Sequence, residues 1–364
     1  MLTYDGGATM AMIKRVFIVV LLVVALALAY LAMAPSAVDP VPWNPPPVPE
    51  MTGPLAPNAH LALAELIAQG HVDGPEDVET DAQGRLYAGT NAGTIVRIEH
   101  GKVEVFATTG GRPLGLDFAP DGQLIVADAI KGLLSVSPDG QQIETLADAA
   151  DGVHFGFTDD VAVARDGAIY FSDASDKFGF GDHTYDLLEG RPHGRLMHYD
   201  PASKTTKVLL ADLYFANGVA LASDESFVIV SETYRYRLTR YWLRGPKAGS
   251  TDVFAEGLPG FPDGVSQSGR GTFWVAIFTV RNAASDFLGP HPLLKRMVAN
   301  LPRFLWPAPD AYGLIVEIDE QGTILRSLHD ATGAYVEQVT SVHERDGKLY
   351  LGHLHRDRVT RVGL

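Results

Sequence analysis

One phrase recurs six times between residues 74 and 347: a polar or turn-type opening, a short apolar alternation, a tight turn and a second short strand. Its clearest copy is Phe157-Thr158-Asp159-Asp160-Val161-Ala162-Val163-Ala164-Arg165-Asp166-Gly167, followed by Ala168-Ile169-Tyr170-Phe171-Ser172-Asp173. Alternating apolar residues on either side of an Asp-Gly turn are the signature of a β-hairpin. The other copies open with Gly74-Pro75-Glu76-Asp77-Val78, Arg112-Pro113-Leu114-Gly115-Leu116, Phe215-Ala216-Asn217-Gly218-Val219, Phe261-Pro262-Asp263-Gly264-Val265 and Tyr335-Val336-Glu337-Gln338-Val339. Their turns fall at Gly84, Gly122, Glu225, Gly271 and Gly347. In the first five copies the third residue stands eight positions before the turn residue, and in the sixth ten. Hairpins repeated in a shared register impose a repeat architecture, in which each unit buries its apolar face against the next.

Each hairpin is followed by a third strand and usually a fourth, as in Thr94-Ile95-Val96-Arg97-Ile98 and Val103-Glu104-Val105-Phe106. Four strands per unit at spacings of about 40 to 75 residues predict an all-β, six-bladed β-propeller over residues 60–364. The sixth unit ends at Arg358-Val359-Thr360-Arg361-Val362 with no outer strand. Leu63-Ala64-Glu65-Leu66-Ile67-Ala68 has no partner of its own and is expected to fill that place, closing the ring and removing two exposed edges. The fifth unit carries an insertion at 283–310, whose basic amphipathic stretch Leu293–Val298 could cover one end of the ring, touch a membrane, or pack on the propeller's side.

Ahead of the repeats lie three segments. Residues 1–15 end in Lys14-Arg15, and residues 16–34 carry no charge and would span about 28 Å as a helix. The length of that run, and Pro35 directly after the Ala32-Met33-Ala34 cleavage-like triplet, favour a transmembrane anchor over a cleaved signal peptide. Positive charge on the N-terminal side keeps 1–15 cytoplasmic and places the rest on the periplasmic, lumenal or extracellular side. Residues 35–59 hold nine prolines and are expected to form a semi-rigid stalk. The formal charge of −15 excludes a nucleic-acid surface, which needs a basic face, and the absence of Cys removes disulfides, thiolate metal sites and cysteine nucleophiles.

Aligned on the third residue, the repeats present Glu76, Leu114, Asp159, Asn217, Asp263 and Glu337, five of six with a side-chain oxygen. Innermost strands of a propeller start around one axis, so these side chains are expected to face one another across a narrow channel. Carboxylates crowded there repel unless protons or a divalent cation offset their charge. Hard oxygen donors with one amide suit Ca²⁺, whereas zinc would call for His or Cys. A single Asp or Asn at a strand start ordinarily bonds a local backbone amide. The shared register is what points to a cation.

Arg112-Pro113-Leu114-Gly115-Leu116, the Asp159 hairpin, Phe215-Ala216-Asn217-Gly218-Val219, Phe273-Trp274-Val275-Ala276 with Arg281-Asn282, and Tyr312-Gly313-Leu314 through Leu328-His329-Asp330 together resemble the strictosidine synthase-like family. That family is grouped with the paraoxonases and senescence marker protein 30/gluconolactonase, calcium-dependent six-bladed propellers. The membrane segment ahead of the repeats is similar to that of the adipocyte plasma membrane-associated protein branch. The resemblance implies calcium ligands at Glu76, Asp159, Asn217 and Asp263, with Asp159 standing where Asn is more usual. It also puts Glu337 at the position of the catalytic glutamate of strictosidine synthase, with Tyr335 in place of that enzyme's His. Leu114 and Asp128 stand near where paraoxonases carry a His pair, and the family's usual disulfide has no counterpart.

Hydrolysis of a small lactone or aryl ester suits a solvent-facing cation, with Asp263 or Asp159 as the base and Glu337 as an alternative acid/base. No Gly-x-Ser-x-Gly elbow occurs. Two other readings are a non-enzymatic binding module with a structural calcium and a condensing enzyme that uses Glu337. His154, at the mouth of the third repeat, reads as a residue that orients substrate or, more simply, a loop histidine. His353 and His355 alternate along one strand without a nearby carboxylate, and Tyr234-Arg235-Tyr236-Arg237 reads as an anion site or, more simply, a solvated strand edge.

Overall fold

Six four-stranded antiparallel sheets are arranged as the blades of a propeller. The computed structural model describes residues 6–364, so the first five residues of the expected segment 1–15 lie outside the described residues. The innermost strands are Val78–Thr80, Pro113–Phe118, Thr158–Val163, Ala216–Leu221, Gly260–Gln267 and Val339–Arg345. Each inner strand touches the next around the axis, and the last touches the first. The ring closes as expected: Glu65–Ile67 pairs antiparallel with the C-terminal strand Val359–Gly363, Leu66 facing Thr360.

Alternation within the strands builds the core. Side chains on one face of a blade meet those of the next, as Ile125 and Leu133 of the second blade meet Val161, Phe171 and Met197 of the third. Leu196 likewise meets Val219, Val228 and Val230 across the following gap. Middle strands are therefore covered on both sides, and all five residues of Leu124–Asp128 are buried.

Near the axis the blades are tied by carboxylates. Asp77 Oδ2 accepts from Leu116 N at 2.9 Å, Asp117 Oδ2 from Val163 N at 2.7 Å and Asp160 Oδ2 from Val219 N at 2.7 Å. Where the residue after the axial position is glycine, the neighbouring backbone comes too close for a side chain. A Cβ on Gly218 would stand 2.4 Å from Asp263 O, and one on Gly264 2.4 Å from Thr340 O.

Helix α1 (Gly6–Met33) precedes the propeller, and its Met10–Met33 portion is long and apolar enough to cross a bilayer. The proline-rich segment does not stand off as a spacer. Val41 N donates to Glu189 O, Trp43 N to Gly289 O, and Ser327 Oγ to Pro54 O, so the segment is strapped along the propeller. Its prolines have no N–H, but their neighbours' amides and carbonyls find partners on the domain.

The insertion forms α3 (Ala283–Leu288), α4 (Pro292–Ala299) and a turn at Arg303–Leu305. With α2 (His183–Glu189), they roof one end of the channel, in agreement with the covering role considered for 283–310. Lys295 on α4 is buried, and its Nζ donates to Val41 O at 2.8 Å and Glu189 O at 3.4 Å, pinning roof and strap together.

Candidate functional site

Five of the inner strands enter their blade through a break in pairing. In the third blade Thr158 faces Asp173 and the next paired residue is Val161, so Asp159 and Asp160 lie in the interruption. The same shift brackets Leu114, Asn217 and Asp263, and in the sixth blade Thr340. Such bulges re-aim side chains, and here the bulged residue turns to the axis. Carboxylates at the ends of the second strands hold the incoming chain: Asp173 Oδ1 accepts from Gly156 N and Phe157 N, Asp128 Oδ1 from Arg112 N and Glu232 Oε2 from Tyr214 N.

Glu76, Asp159, Asn217 and Asp263 are buried and share one cavity of about 360 Å³, together with Leu114 and Thr340. The structure thus brings together the four residues singled out as cation ligands. Glu337 is not brought there. Its carboxylate is paired with Arg356, and the residue in register with the other five is Thr340, whose Oγ1 donates to Glu76 O at 2.6 Å. Glu337 stands ten positions before its turn where the other axial residues stand eight, and Thr340 stands seven before it. Val339-Thr340-Ser341-Val342 matches Thr158-Asp159-Asp160-Val161, but Val339 also follows Glu337 by two, so the apolar spacing alone does not separate the two positions.

Burial, then the charges of Asp159 and Asp263, push the Glu76 carboxyl well up from the usual range. Burial and the Asp263 charge do the same to Asp159. Asp263 is pushed up to about 8 by burial, with the Asn217 amide pulling the other way. Arg112, buried on the second blade, is the cation that opposes these shifts at Glu76 and Asp159, and its Nη2 is engaged by Gly74 O. Asp263 Oδ1 is buried with no hydrogen-bond partner. A buried oxygen without a donor, among acids that hold one another protonated, is the environment a hard cation relieves. Among the described residues no three His, Asp or Glu side chains close into a cage as they stand. The donor types and their common cavity fit Ca²⁺, with water left to complete the shell.

Above this floor the wall is apolar. Phe157, Phe215 and Phe261, each two residues before its axial residue, line the channel, the Phe157 and Phe215 rings meeting edge-on with centroids 5.5 Å apart. Trp43 from the strap and Leu288, Val298 and Trp306 from the insertion complete the roof. His183 and His355 also line the cavity; burial pushes His183 down to about 4 and lowers His355, so both imidazoles are neutral. By contrast His353 is a core residue between Glu337 O and Thr360 Oγ1, and His154 sits exposed in a small hairpin.

Tyr234-Arg235-Tyr236 is not a solvated edge. A turn at Thr233–Arg235 with Tyr236 left-handed folds these residues inward, where Tyr234 and Arg235 line the cavity. Arg235 lies against the rings of Tyr214 and Trp43, 3.5 and 4.5 Å from their centroids. Below the floor the channel continues into a second cavity of about 310 Å³ lined by Asp77, Glu79, Asp117, Asp160 and His343.

Comparison with known sequences places this geometry. Strictosidine synthase signatures match residues 159–246, and the strictosidine synthase-like N-terminal signature matches 53–98. The chain is 36% identical over 352 residues to the adipocyte plasma membrane-associated protein of Rattus norvegicus, covering 90% of this chain and 93% of that one. It is also 36% identical over 319 residues to strictosidine synthase-like 6 of Arabidopsis thaliana, covering 85% and 84%. The chain belongs to the strictosidine synthase-like family.

Among solved structures, this strictosidine synthase-like protein resembles a gluconolactonase from Xanthomonas campestris, with a TM-score of 0.59, 19% identity, and 91% and 99% of the two chains covered. It also resembles the calcium-binding protein regucalcin from Agrobacterium tumefaciens, with a TM-score of 0.58, 14% identity, and 82% and 93% covered. At these identities the likeness is one of fold.

Proposed function

We propose that this strictosidine synthase-like protein is a membrane-anchored, calcium-dependent hydrolase of lactones or aryl esters. The observation that carries the reading is the unpartnered, buried Asp263 Oδ1 beside Glu76, Asp159 and Asn217 on the floor of an apolar cavity. Ca²⁺ held by those four residues would supply Lewis-acid polarisation of a substrate carbonyl. The chain's own part is to bind, to exclude water and to move a proton. Phe157, Phe215 and Phe261 take the apolar body of the substrate and keep bulk water from the floor. Asp263 or Asp159 accepts the proton of the attacking water, and neutral His183 and His355 are further acceptors toward the roof.

A gluconolactonase and a calcium-binding regucalcin among the fold relatives support the class of chemistry and the metal. The anchor rests on α1 and on relatives named as plasma membrane-associated proteins. Condensation through Glu337 loses its support, because that carboxylate is engaged by Arg356 outside the cavity lining.

The test is calcium titration of the full-length protein in detergent, with phenyl acetate and a γ-lactone as substrates. Wild type is expected to gain thermal stability with calcium and to lose turnover with EDTA. Asp263→Asn is expected to lose the calcium-dependent stabilisation and to slow turnover by about 10²-fold or more. A calcium response without turnover would leave a binding module; no calcium response at all would end the metal reading.

A further inference from the structure

The roof of the cavity carries apolar side chains on its outside as well as its inside. Phe304 is 84% exposed, Phe287 60%, Leu293 57% and Leu305 55%, all within the 283–310 insertion. Their neighbours Leu288, Val298 and Trp306 line the cavity. Exposed aromatic and aliphatic side chains gathered on one short insertion mark a surface that is covered in use.

The occupant follows from where α1 ends. Asn300 Nδ2 donates to Leu31 O at 2.9 Å, and Arg296 Nη2 donates to Ala34 O at 3.1 Å. The C-terminal end of the membrane-spanning helix is therefore bound to α4 and the residue after it. The uncharged part of that helix, residues 16–33, is about 27 Å long, close to the hydrocarbon thickness of a bilayer, so it ends near the headgroup level of the leaflet it emerges from. Phe304 and Leu305 follow Asn300 by four and five residues, so the chain keeps them within about 18 Å of that helix end. Phe and Leu beside Arg296 and Arg303 have the composition of an interfacial segment.

We infer that the insertion docks on the bilayer that α1 crosses, with Phe304, Leu305, Leu293 and Phe287 in the headgroup–acyl boundary. The cavity then opens toward the lipid phase, and its substrate is a lipophilic ester or lactone that partitions into the membrane. The docking depends on the anchor, and the choice of substrate rests on the hydrolase reading above. The route is short: Trp306, which lines the cavity, directly follows Leu305, which does not. An aromatic wall from roof to floor suits a ligand that arrives from hydrocarbon.

The chain has no cysteine, so Phe304→Cys in the full-length protein accepts a single environment-sensitive fluorophore. Gln321→Cys serves as the control, exposed in the turn between the outer strands at the far end of the fifth blade. In phosphatidylcholine vesicles the label at 304 is expected to be blue-shifted and quenched by nitroxide lipids, and the label at 321 to be neither. Equal, water-like signals at both positions would overturn the docking.

In the second arm, Phe304→Asp with Leu305→Asp is expected to lower turnover of a long-chain aryl ester dissolved in the vesicles about ten-fold. Turnover of water-borne phenyl acetate should stay as in wild type. Equal loss on both substrates, or on neither, would overturn the lipid route. If wild type hydrolyses neither substrate, the hydrolase reading fails by itself, and the quenching still decides the docking.

Discussion

Among single residues, Glu337 separates what spacing suggests from what packing enforces. Its sequence context made it the sixth member of the axial set, but the sixth hairpin closes with only Asp346-Gly347 between Arg345 and Lys348, and Thr340 takes the place. Glu337→Gln is accordingly expected to keep ester or lactone turnover within about two-fold of wild type. Loss of its partly exposed pair with Arg356 should cost about 1 kcal/mol or less in urea denaturation. A hundred-fold loss of turnover would place Glu337 back in the chemistry. The four remaining oxygen-bearing positions were legible because each stands eight residues before its turn residue, whereas Glu337 stands ten before its own. His183, His355, Tyr234 and Arg235 were not legible, since loops and turns bring them over the channel and no repeat position announces them.

Strands and their closures make up the next level, and there local pattern served well. Period-two alternation and turn residues disclosed four strands per blade, and the unpaired Leu63–Ala68 disclosed the closing strand. The strap did not read as packed structure, because polyproline-like segments have the same composition whether they hang free or lie along a surface. What decides is the set of partners, Glu189 O for Val41 N and Gly289 O for Trp43 N, which lie 148 and 246 residues away in sequence.

The crowding of inner strands gives a sharp expectation. Gly218→Ala puts a Cβ 2.4 Å from Asp263 O and Val265 N, both backbone atoms that cannot step aside. The substitution should destabilise by about 1–3 kcal/mol in chemical denaturation. An unchanged midpoint would mean that the blades do not approach as closely as described. Because Asp263 is on the receiving strand, the same change should also weaken the calcium response.

For the molecule as a whole, the axis is a line of buried acids, and stability should depend on pH in a defined direction. Asp263 is held up at about 8 by burial, against about 3.8 in an unfolded chain, and Glu76 and Asp159 are raised as well. Without metal, the folded protein keeps protons that the unfolded chain has released, so stability falls as pH rises toward 8. Between about pH 7 and 8 unperturbed histidines are largely neutral, and His193 and His343, both raised in the fold, act in the same direction as the carboxyls. EDTA-treated protein is expected to lose melting temperature across that interval. With calcium at about 100 times its Kd, about 2.7 kcal/mol is returned, and the slope flattens because the acids are ionised and liganded. A melting temperature that rises with pH in EDTA would contradict this picture.

The first and last strands of the domain lie side by side, Glu65–Ile67 against Val359–Gly363. The chain supplies them at opposite ends of the propeller, so the early blades keep two open borders until residues 359–363 have been made. The circle is completed only when Val359–Gly363 takes its place beside Glu65–Ile67, which makes that strand the clasp of the propeller.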